Sequence, residues 1–244
     1  MSGWLAVAGL GPGNEQLVTP EVRATLDQAT HVLGYFPYVA RVAPRPGLTL
    51  LPTDNREELD RATHALQLAC AGGRVVVVSS GDPGVFAMAS AVFEALERWP
   101  APAPDIRILP GITAMLAAAA RLGAPLGHDF CAINLSDNLK PWEVVENRLR
   151  LAARADFAMA FYNPRSASRP HQFVRTLEVL REECGAERLI SFARAVTTAE
   201  ERLLTVTLAD ATPEMADMRT LVIVGSSATR RVGPWVYTPR SAGV

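Results

Sequence analysis

The sequence predicts two α/β domains, residues 1–111 around a mostly parallel sheet and residues 112–244 around a mixed one. Three observations carry this. Val75-Val76-Val77-Val78 is an unbroken β-branched run, as expected for a strand buried on both faces of a parallel sheet. Short apolar runs alternate with helix-length segments through the first half, the order that builds βαβ units. Later, Ser191 to Thr207 reads as two strands joined by a turn at Thr197 to Glu201, which puts an antiparallel pair into the second sheet.

Each element has a local reason. Trp4 to Ala8 is a short apolar strand. Thr19-Pro20-Glu21 starts a helix, with a capping hydroxyl, a proline in the first turn and an acid at the positive dipole end. That helix ends near Ala29, and His31 to Gly34 and Leu48 to Leu51 follow as strands. Thr53 or Asp54 is expected to cap a helix running to Cys70, stopped by Gly72-Gly73. The valine strand closes in Ser79-Ser80-Gly81-Asp82-Pro83-Gly84, and a helix is expected from Val85 to Trp99. Pro100-Ala101-Pro102-Ala103-Pro104 is a stiff connector. Ile106 to Leu109 is a strand closed by Pro110-Gly111, and Thr113 starts an alanine-rich helix to Arg121. Further strands are expected at Phe130–Leu135, Phe157–Tyr162, Leu189–Ala195, Arg202–Thr207 and Leu221–Val224, with helices at Trp142–Ala153 and Pro170–Cys184. The tail from Gly233 is rich in glycine and proline and is expected to be irregular.

Composition excludes some classes. Of the 244 residues 49% are hydrophobic, enough for a sizeable core, and the formal net charge of −1 gives no electrostatic case for nucleic acid or an anionic membrane. No apolar stretch approaches the roughly 20 residues of a membrane helix, and no signal peptide is visible, so the expected location is cytoplasmic. Cys70, Cys131 and Cys184 are widely spaced and are expected as buried free thiols, with no metal site.

Gly9-Leu10-Gly11-Pro12-Gly13 follows the first strand and looks like a dinucleotide loop, yet it lacks the third glycine, which would fall at Asn14. Pro12 also has no N–H to offer an anion. Five strand-end loops are expected to converge on one sheet edge: Gly9–Gly13, Gly81–Gly84, Pro110–Thr113, Tyr162–Ser166 and Gly225–Ser227. For Asp82 the competing structural reading is a carboxylate satisfying a nearby backbone N–H.

Gly-Leu-Gly-Pro-Gly, then Ser-Gly-Asp-Pro-Gly-Val-Phe, then Pro-Gly-Ile-Thr-Ala together resemble the tetrapyrrole (corrin and porphyrin) methylase family, from Trp4 to about Ser227. Four further segments narrow the resemblance: Leu33 to Tyr38, Asn134 to Asp137, Lys140 to Glu146 and Phe161 to Ser166. They are similar to the branch that methylates carbon 17 of a precorrin with ring contraction, taking precorrin-3B to precorrin-4 in cobalamin synthesis. Asn138 and Lys140 depart from that branch's usual Leu-Ser-Asp-Leu-Leu-Thr-Pro-Trp-Glu.

The resemblance implies a class III methyltransferase fold with S-adenosylmethionine in the interdomain cleft, S-adenosylhomocysteine as product, a tetrapyrrole substrate and a homodimer. It implies that Pro12, Gly81, Asp82, Val85, Thr113 and Ala114 meet the cofactor, with Tyr162, Asn163, Ala193, Val224 and Gly225 around the adenine. Gly11 and Gly13 would let ligand approach the backbone. Tyr35, Tyr38 and Trp142 would pack on the macrocycle, with Ser136 nearby. Arg165, Arg169 and Arg41 would take its carboxylates.

The nucleophilic carbon belongs to the substrate, so alignment and water exclusion are expected to supply most of the acceleration. Ring contraction calls for proton transfers, for which Asp137, Glu143 and His128 are candidates. Their competing structural readings are a cap or turn residue, a first-turn helix acid and a surface turn residue. The alternatives are a methylase for another tetrapyrrole (precorrin-4 or uroporphyrinogen III), a nicotinamide-dependent reductase, and a non-catalytic tetrapyrrole-binding protein.

Overall fold

The structure is a computed structural model and describes residues 3–54 and 57–241. The chain divides into two compact units, Met1–Thr113 and Ala114–Val244.

The first unit runs β1 (Trp4–Gly9), α1 (Pro20–Gln28), β2 (His31–Tyr35), α2 (Phe36–Val39), β3 (Thr49–Thr53), α3 (Glu58–Cys70), β4 (Arg74–Ser79), α4 (Met88–Glu97) and β5 (Asp105–Leu109). The strands form one parallel sheet in the order β3-β2-β4-β1-β5. Side chains alternate across it. Leu5, Val7, Leu33, Val75 and Val77 pack on α3 and α4, while Ala6, Ala8, Val32, Val76 and Val78 pack with Val22 of α1 and Val39 of α2. Both faces are covered, which is why the strands read as continuous apolar runs. On α3, Ala62, Ala65, Leu66 and Ala69 form the buried stripe at helical spacing.

Two helix starts differ from expectation. Thr53 is still in β3, and its Oγ1 accepts from Arg61 Nε at 2.7 Å while the Asp54 carbonyl accepts from Arg61 Nη2 at 2.6 Å. Neither residue caps α3, which begins after Glu57 without a side-chain cap bond. The helix expected from Val85 begins at Met88, because Phe86 sits at φ +52° and Ala87 is extended. By contrast, Thr19 caps α1, accepting from the Val22 N–H at 3.3 Å.

The second unit runs α5 (Ala114–Leu122), β6 (Gly123–Ala124), β7 (Phe130–Asn134), α6 (Trp142–Arg154), β8 (Ala158–Tyr162), α7 (Gln172–Glu183), β9 (Leu189–Arg194), β10 (Arg202–Thr207), β11 (Thr220–Val224), β12 (Arg230–Val232) and β13 (Trp235–Tyr237). Its main sheet has the order β10-β9-β11-β8-β7, with β7 and β8 parallel and the other pairs antiparallel. Phe161, Phe173, Leu177, Leu180 and Phe192 centre its core, with Phe173 and Phe192 edge to face at 6.2 Å. The tail from Gly233 is expected to be irregular, but it contains one strand, β13. β12 and β13 form a hairpin, and β13 pairs with β6. Gly233, at φ +56°, makes the turn, so the glycine and proline mark a reversal between strands rather than a lack of them. Val236 is buried, and Thr238 Oγ1 donates to the Pro125 carbonyl at 2.6 Å.

Cys70, Cys131 and Cys184 are free, but only Cys184 is buried and Cys70 is exposed. Burial raises the Cys131 and Cys184 thiols above their ordinary range. Among the described residues, no helix is long and apolar enough to cross a membrane and no group of three metal-ligating side chains forms.

Candidate active site

In the first unit, β1 and β4 are adjacent strands whose following helices pack on opposite faces of the sheet, α1 on one and α4 on the other. Ligands of parallel α/β sheets gather at the carboxyl ends of strands whose helices diverge in this way. Three of the predicted loops meet there. Leu10 donates its N–H to the Ser79 carbonyl at 2.8 Å, and Gly11 and Gly81 exchange a pair of bonds at 3.1 and 2.9 Å. Asp82 closes the set: Oδ1 accepts from the Gly84 N–H at 2.8 Å and Oδ2 from the Gly111 N–H at 3.1 Å. The structural reading of Asp82 therefore holds, and it extends across two loops.

The glycines answer to protein backbone. A methyl on Gly9 would lie 2.4 Å from the Gly81 carbonyl oxygen, and one on Gly111 2.1 Å from the same atom. A methyl on Gly11, which is at φ +68°, would lie 2.9 Å from the Leu17 carbonyl oxygen. Asn14, where a dinucleotide motif has glycine, accepts from the Gln16 N–H at 2.9 Å and caps the 3-10 turn Glu15–Leu17. With the N–H groups of Leu10, Gly11, Gly81 and Gly111 all bonded within the protein, this loop set makes a poor pyrophosphate cradle.

Tyr35 and Tyr38 stand edge to face at 5.5 Å beside these loops' strands. Burial, with Tyr35 adding, pushes the Tyr38 phenol above its ordinary value, opposed by its hydrogen bond with Ser80. Arg41 is not a free carboxylate receptor: it donates to the Leu10 carbonyl and to Glu15.

In the second unit the register separates the candidates. Asn134 and Tyr162 are paired at the carboxyl ends of β7 and β8. The Asn163 amide donates to Asn134 Oδ1 at 3.1 Å, and the same oxygen accepts from the Ser136 N–H at 2.9 Å. Asp137 lies on this loop and accepts from Gln172 Nε2 at 2.9 Å; the other amide atom of Gln172 is buried without a partner. Lys140 donates to the Ser136 carbonyl at 3.1 Å, and burial lowers its amine from the ordinary value. Tyr162 Oη accepts from the Met115 N–H at 3.1 Å, which satisfies an open donor in the first turn of α5, just after Ala114.

The other end of the sheet holds the remainder. Val224 pairs with Met159 and Ile190, and Gly225 donates to the Leu189 carbonyl, all at the amino ends of β8 and β9. His128 is exposed in the turn before β7, next to Asp129, whose carbonyl accepts from the Ala158 N–H at the start of β8. About five residues of strand at roughly 3.3 Å each separate the two ends. Val224, Gly225 and His128 thus do not share a site with Tyr162, Asn163 and Asp137, and the five loops do not all converge on one edge.

Other candidates have structural tasks. Glu143 is exposed in the first turn of α6, where an acid favours the helix dipole. Trp142 packs against the core, Arg165 lies 3.9 Å from Glu214, and buried Arg169 donates to the Asn163 carbonyl. Ala193 is buried inside β9, paired with Leu203 and Leu221.

Ala195 and Thr197, which the sequence did not single out as site residues, lie past the end of β9 at φ +47° and +68°. Asn163, at φ +52°, is at the same end. Left-handed backbone at non-glycine residues costs about 1–3 kcal/mol each and clusters at functional sites. A β-branched residue carries no sequence mark for it.

Comparison with known proteins identifies the family. The family model for tetrapyrrole (corrin/porphyrin) methylases matches residues 5–212. The chain is 51% identical to a precorrin-3B C(17)-methyltransferase of Sinorhizobium sp., over 98% of this chain and 97% of that protein. It is 38% identical to a probable cobalt-factor III C(17)-methyltransferase of Salmonella typhimurium, over 97% and 98% of the two chains. A crystal structure described as the methyltransferase CobJ superposes with a TM-score of 0.96 at 76% identity, covering 98% of this chain and 100% of that one. The chain belongs to the tetrapyrrole (corrin/porphyrin) methylases.

Proposed function

We propose that this protein transfers a methyl group from S-adenosylmethionine to carbon 17 of a precorrin and contracts its ring, converting precorrin-3B to precorrin-4 in cobalamin synthesis. The observation that carries the reading is the loop cluster of β1, β4 and β5. Its amides are bonded internally, which suits a phosphate-free ligand, and full-length likeness to C(17)-methyltransferases supports the same substrate class. A nicotinamide-dependent reductase would need the anion cradle that this cluster lacks.

The residues divide the work. Pro12, Gly81, Asp82, Val85 and Thr113 line the strand-end loops of the first unit and bind the cofactor, which supplies a sulfonium methyl to an electron-rich ring carbon. Asp82 acts by holding the Gly84 and Gly111 loops in register. Tyr35 and Tyr38 offer aromatic edges to a flat macrocycle. In the second unit, Asp137, Tyr162 and Asn163 are the ligand-facing set. Asp137 is the proton-transfer candidate that sits at this end of the sheet with a hydrogen-bonding partner, Gln172. Alignment and water exclusion supply the rest of the barrier reduction. The reading includes a cytoplasmic homodimer, which light scattering of the purified protein checks.

Incubation with S-adenosylmethionine and precorrin-3B is expected to yield a product one methyl heavier with a contracted ring. Trials with precorrin-4 and uroporphyrinogen III separate this activity from its relatives. Calorimetry that finds no binding of S-adenosylhomocysteine would refute it.

A further inference from the structure

Arg41 follows α2 and reaches back over the end of β1. Its Nη2 donates to the Leu10 carbonyl at 2.7 Å, its Nη1 points at the Gly11 carbonyl at 3.5 Å, and its Nε donates to Glu15 Oε1 at 2.9 Å. The carbonyls belong to the two residues immediately before Pro12. Glu15 is itself held, since its backbone carbonyl accepts from Arg23 Nη2. One planar fork therefore spans both sides of Pro12 along the chain, at Leu10–Gly11 and at Glu15.

That matters because Gly11 is at φ +68°, a conformation glycine leaves readily. Its N–H and carbonyl are paired with Gly81, which fixes one edge of the peptide. Leu10 lies just past the end of β1, and Arg41 supplies a donor to its carbonyl. Proline at position 12 adds no N–H of its own to anchor the loop. Tyr38, three residues before Arg41, lies beside Ser80, so the short segment from Tyr38 to Arg41 reaches the loops after both β1 and β4.

We propose that Arg41 is a positioning residue for methyl transfer: it orients the Leu10-Gly11 peptides and thereby sets Pro12 against the cofactor. The assignment rests on the methyltransferase reading above. It departs from the sequence expectation that Arg41 takes a substrate carboxylate. A carboxylate receptor would act on the affinity for the tetrapyrrole, whereas a loop latch acts on the affinity for the cofactor.

The test compares wild type with Arg41→Ala, Arg41→Lys and Glu15→Gln by calorimetry with S-adenosylhomocysteine, thermal unfolding and steady-state kinetics. Losing a charge-assisted fork is expected to weaken S-adenosylhomocysteine roughly tenfold or more in Arg41→Ala, with a matching rise in KM for S-adenosylmethionine and little change in tetrapyrrole KM. Arg41→Lys, a point cation without the fork, should recover part of the loss. Glu15→Gln, which keeps the carbonyl bonds, should lose less. Added methylguanidinium should restore affinity to Arg41→Ala and leave wild type unchanged, which a general loss of folding would not show. Folded Arg41→Ala that binds S-adenosylhomocysteine as wild type does, or that loses only tetrapyrrole affinity, overturns the proposal alone. Wild type that binds no S-adenosylhomocysteine overturns the methyltransferase reading and the proposal with it.

Discussion

Replacing Gly111 by alanine should do damage out of proportion to one methyl group. The new Cβ would stand 2.1 Å from the Gly81 carbonyl oxygen, 2.8 Å from the Gly9 oxygen and 2.9 Å from the Gly9 carbonyl carbon, where ordinary contact begins at 3.4 Å. All three atoms are backbone, so no rotamer change relieves the clash. The β5 loop must part from the β1 and β4 loops by about 1.3 Å, and overpacking of this kind costs about 1–3 kcal/mol or more. The same displacement stretches the 3.1 Å bond from the Gly111 N–H to Asp82, whose loss adds about 1–3 kcal/mol if the carboxylate is left unpaired. Urea unfolding with calorimetry of S-adenosylhomocysteine measures both consequences. Gly185→Ala is the matched control, since nothing lies within 4 Å of its added methyl, and it should change stability by less than about 1 kcal/mol. A Gly111→Ala protein as stable as the control and with wild-type affinity would show that the three loops are not packed backbone against backbone.

The remaining predictions are read in stability and in S-adenosylhomocysteine affinity. Asp82→Ala frees the Gly84 and Gly111 N–H groups together and should cost about 1–3 kcal/mol along with most of the S-adenosylhomocysteine affinity; unchanged affinity would leave Asp82 a turn residue only. Gly225→Ala puts a methyl 2.5 Å from the stiff side chain of Thr229, so Tm should fall while the affinity of the folded protein stays put. On α6 and α7, Arg175 and Arg150 hold Glu146 down to about 2, and Arg154 and Arg150 do the same for Glu183. A carboxylate with a lowered folded pKa contributes stability in full above its unfolded value near 4.5 and loses it as pH falls towards 2. Tm should therefore drop across that window, less so in high salt, where exposed pairs are screened. A double Glu146→Gln, Glu183→Gln variant should show a shallower drop.

Much of the fold was legible because covered parallel strands and antiparallel ones write differently. The valines of β4 and the alanines of α3 announce a buried sheet and a close helix contact without any tertiary information. The missed helix start at Met88 shows where that legibility ends. Val85 and Phe86 continue an apolar, helix-compatible run, and the left-handed backbone at Phe86 with extended Ala87 delays the helix. Thr53 fits a helix cap on local grounds, but Arg61, eight residues on, claims its hydroxyl. The strand within the tail was missed for a related reason. β13 is stabilised by pairing with β6, more than a hundred residues earlier, and no local pattern records such a partner.

The site was legible where function and packing demand the same residue, and opaque where they demand different ones. Gly-Leu-Gly-Pro-Gly looks like a loop opened for a ligand, yet Gly9 and Gly11 are small because the Gly81 and Leu17 backbones lie against them. A sequence records that a side chain is absent without recording what fills the space. The second unit makes the point by direction. Tyr162, Asn163 and Val224 all stand at the ends of strands, but β11 runs antiparallel to β8, so its carboxyl end lies beside the start of β8. Had every strand of that sheet been parallel, Gly225 would have joined Asn163. The rule that ligands gather at carboxyl ends therefore serves the first unit as it stands. In the second it needs the strand directions first, and applied that way it selects the edge carrying Asn163, Ala195 and Thr197, where left-handed backbone is concentrated.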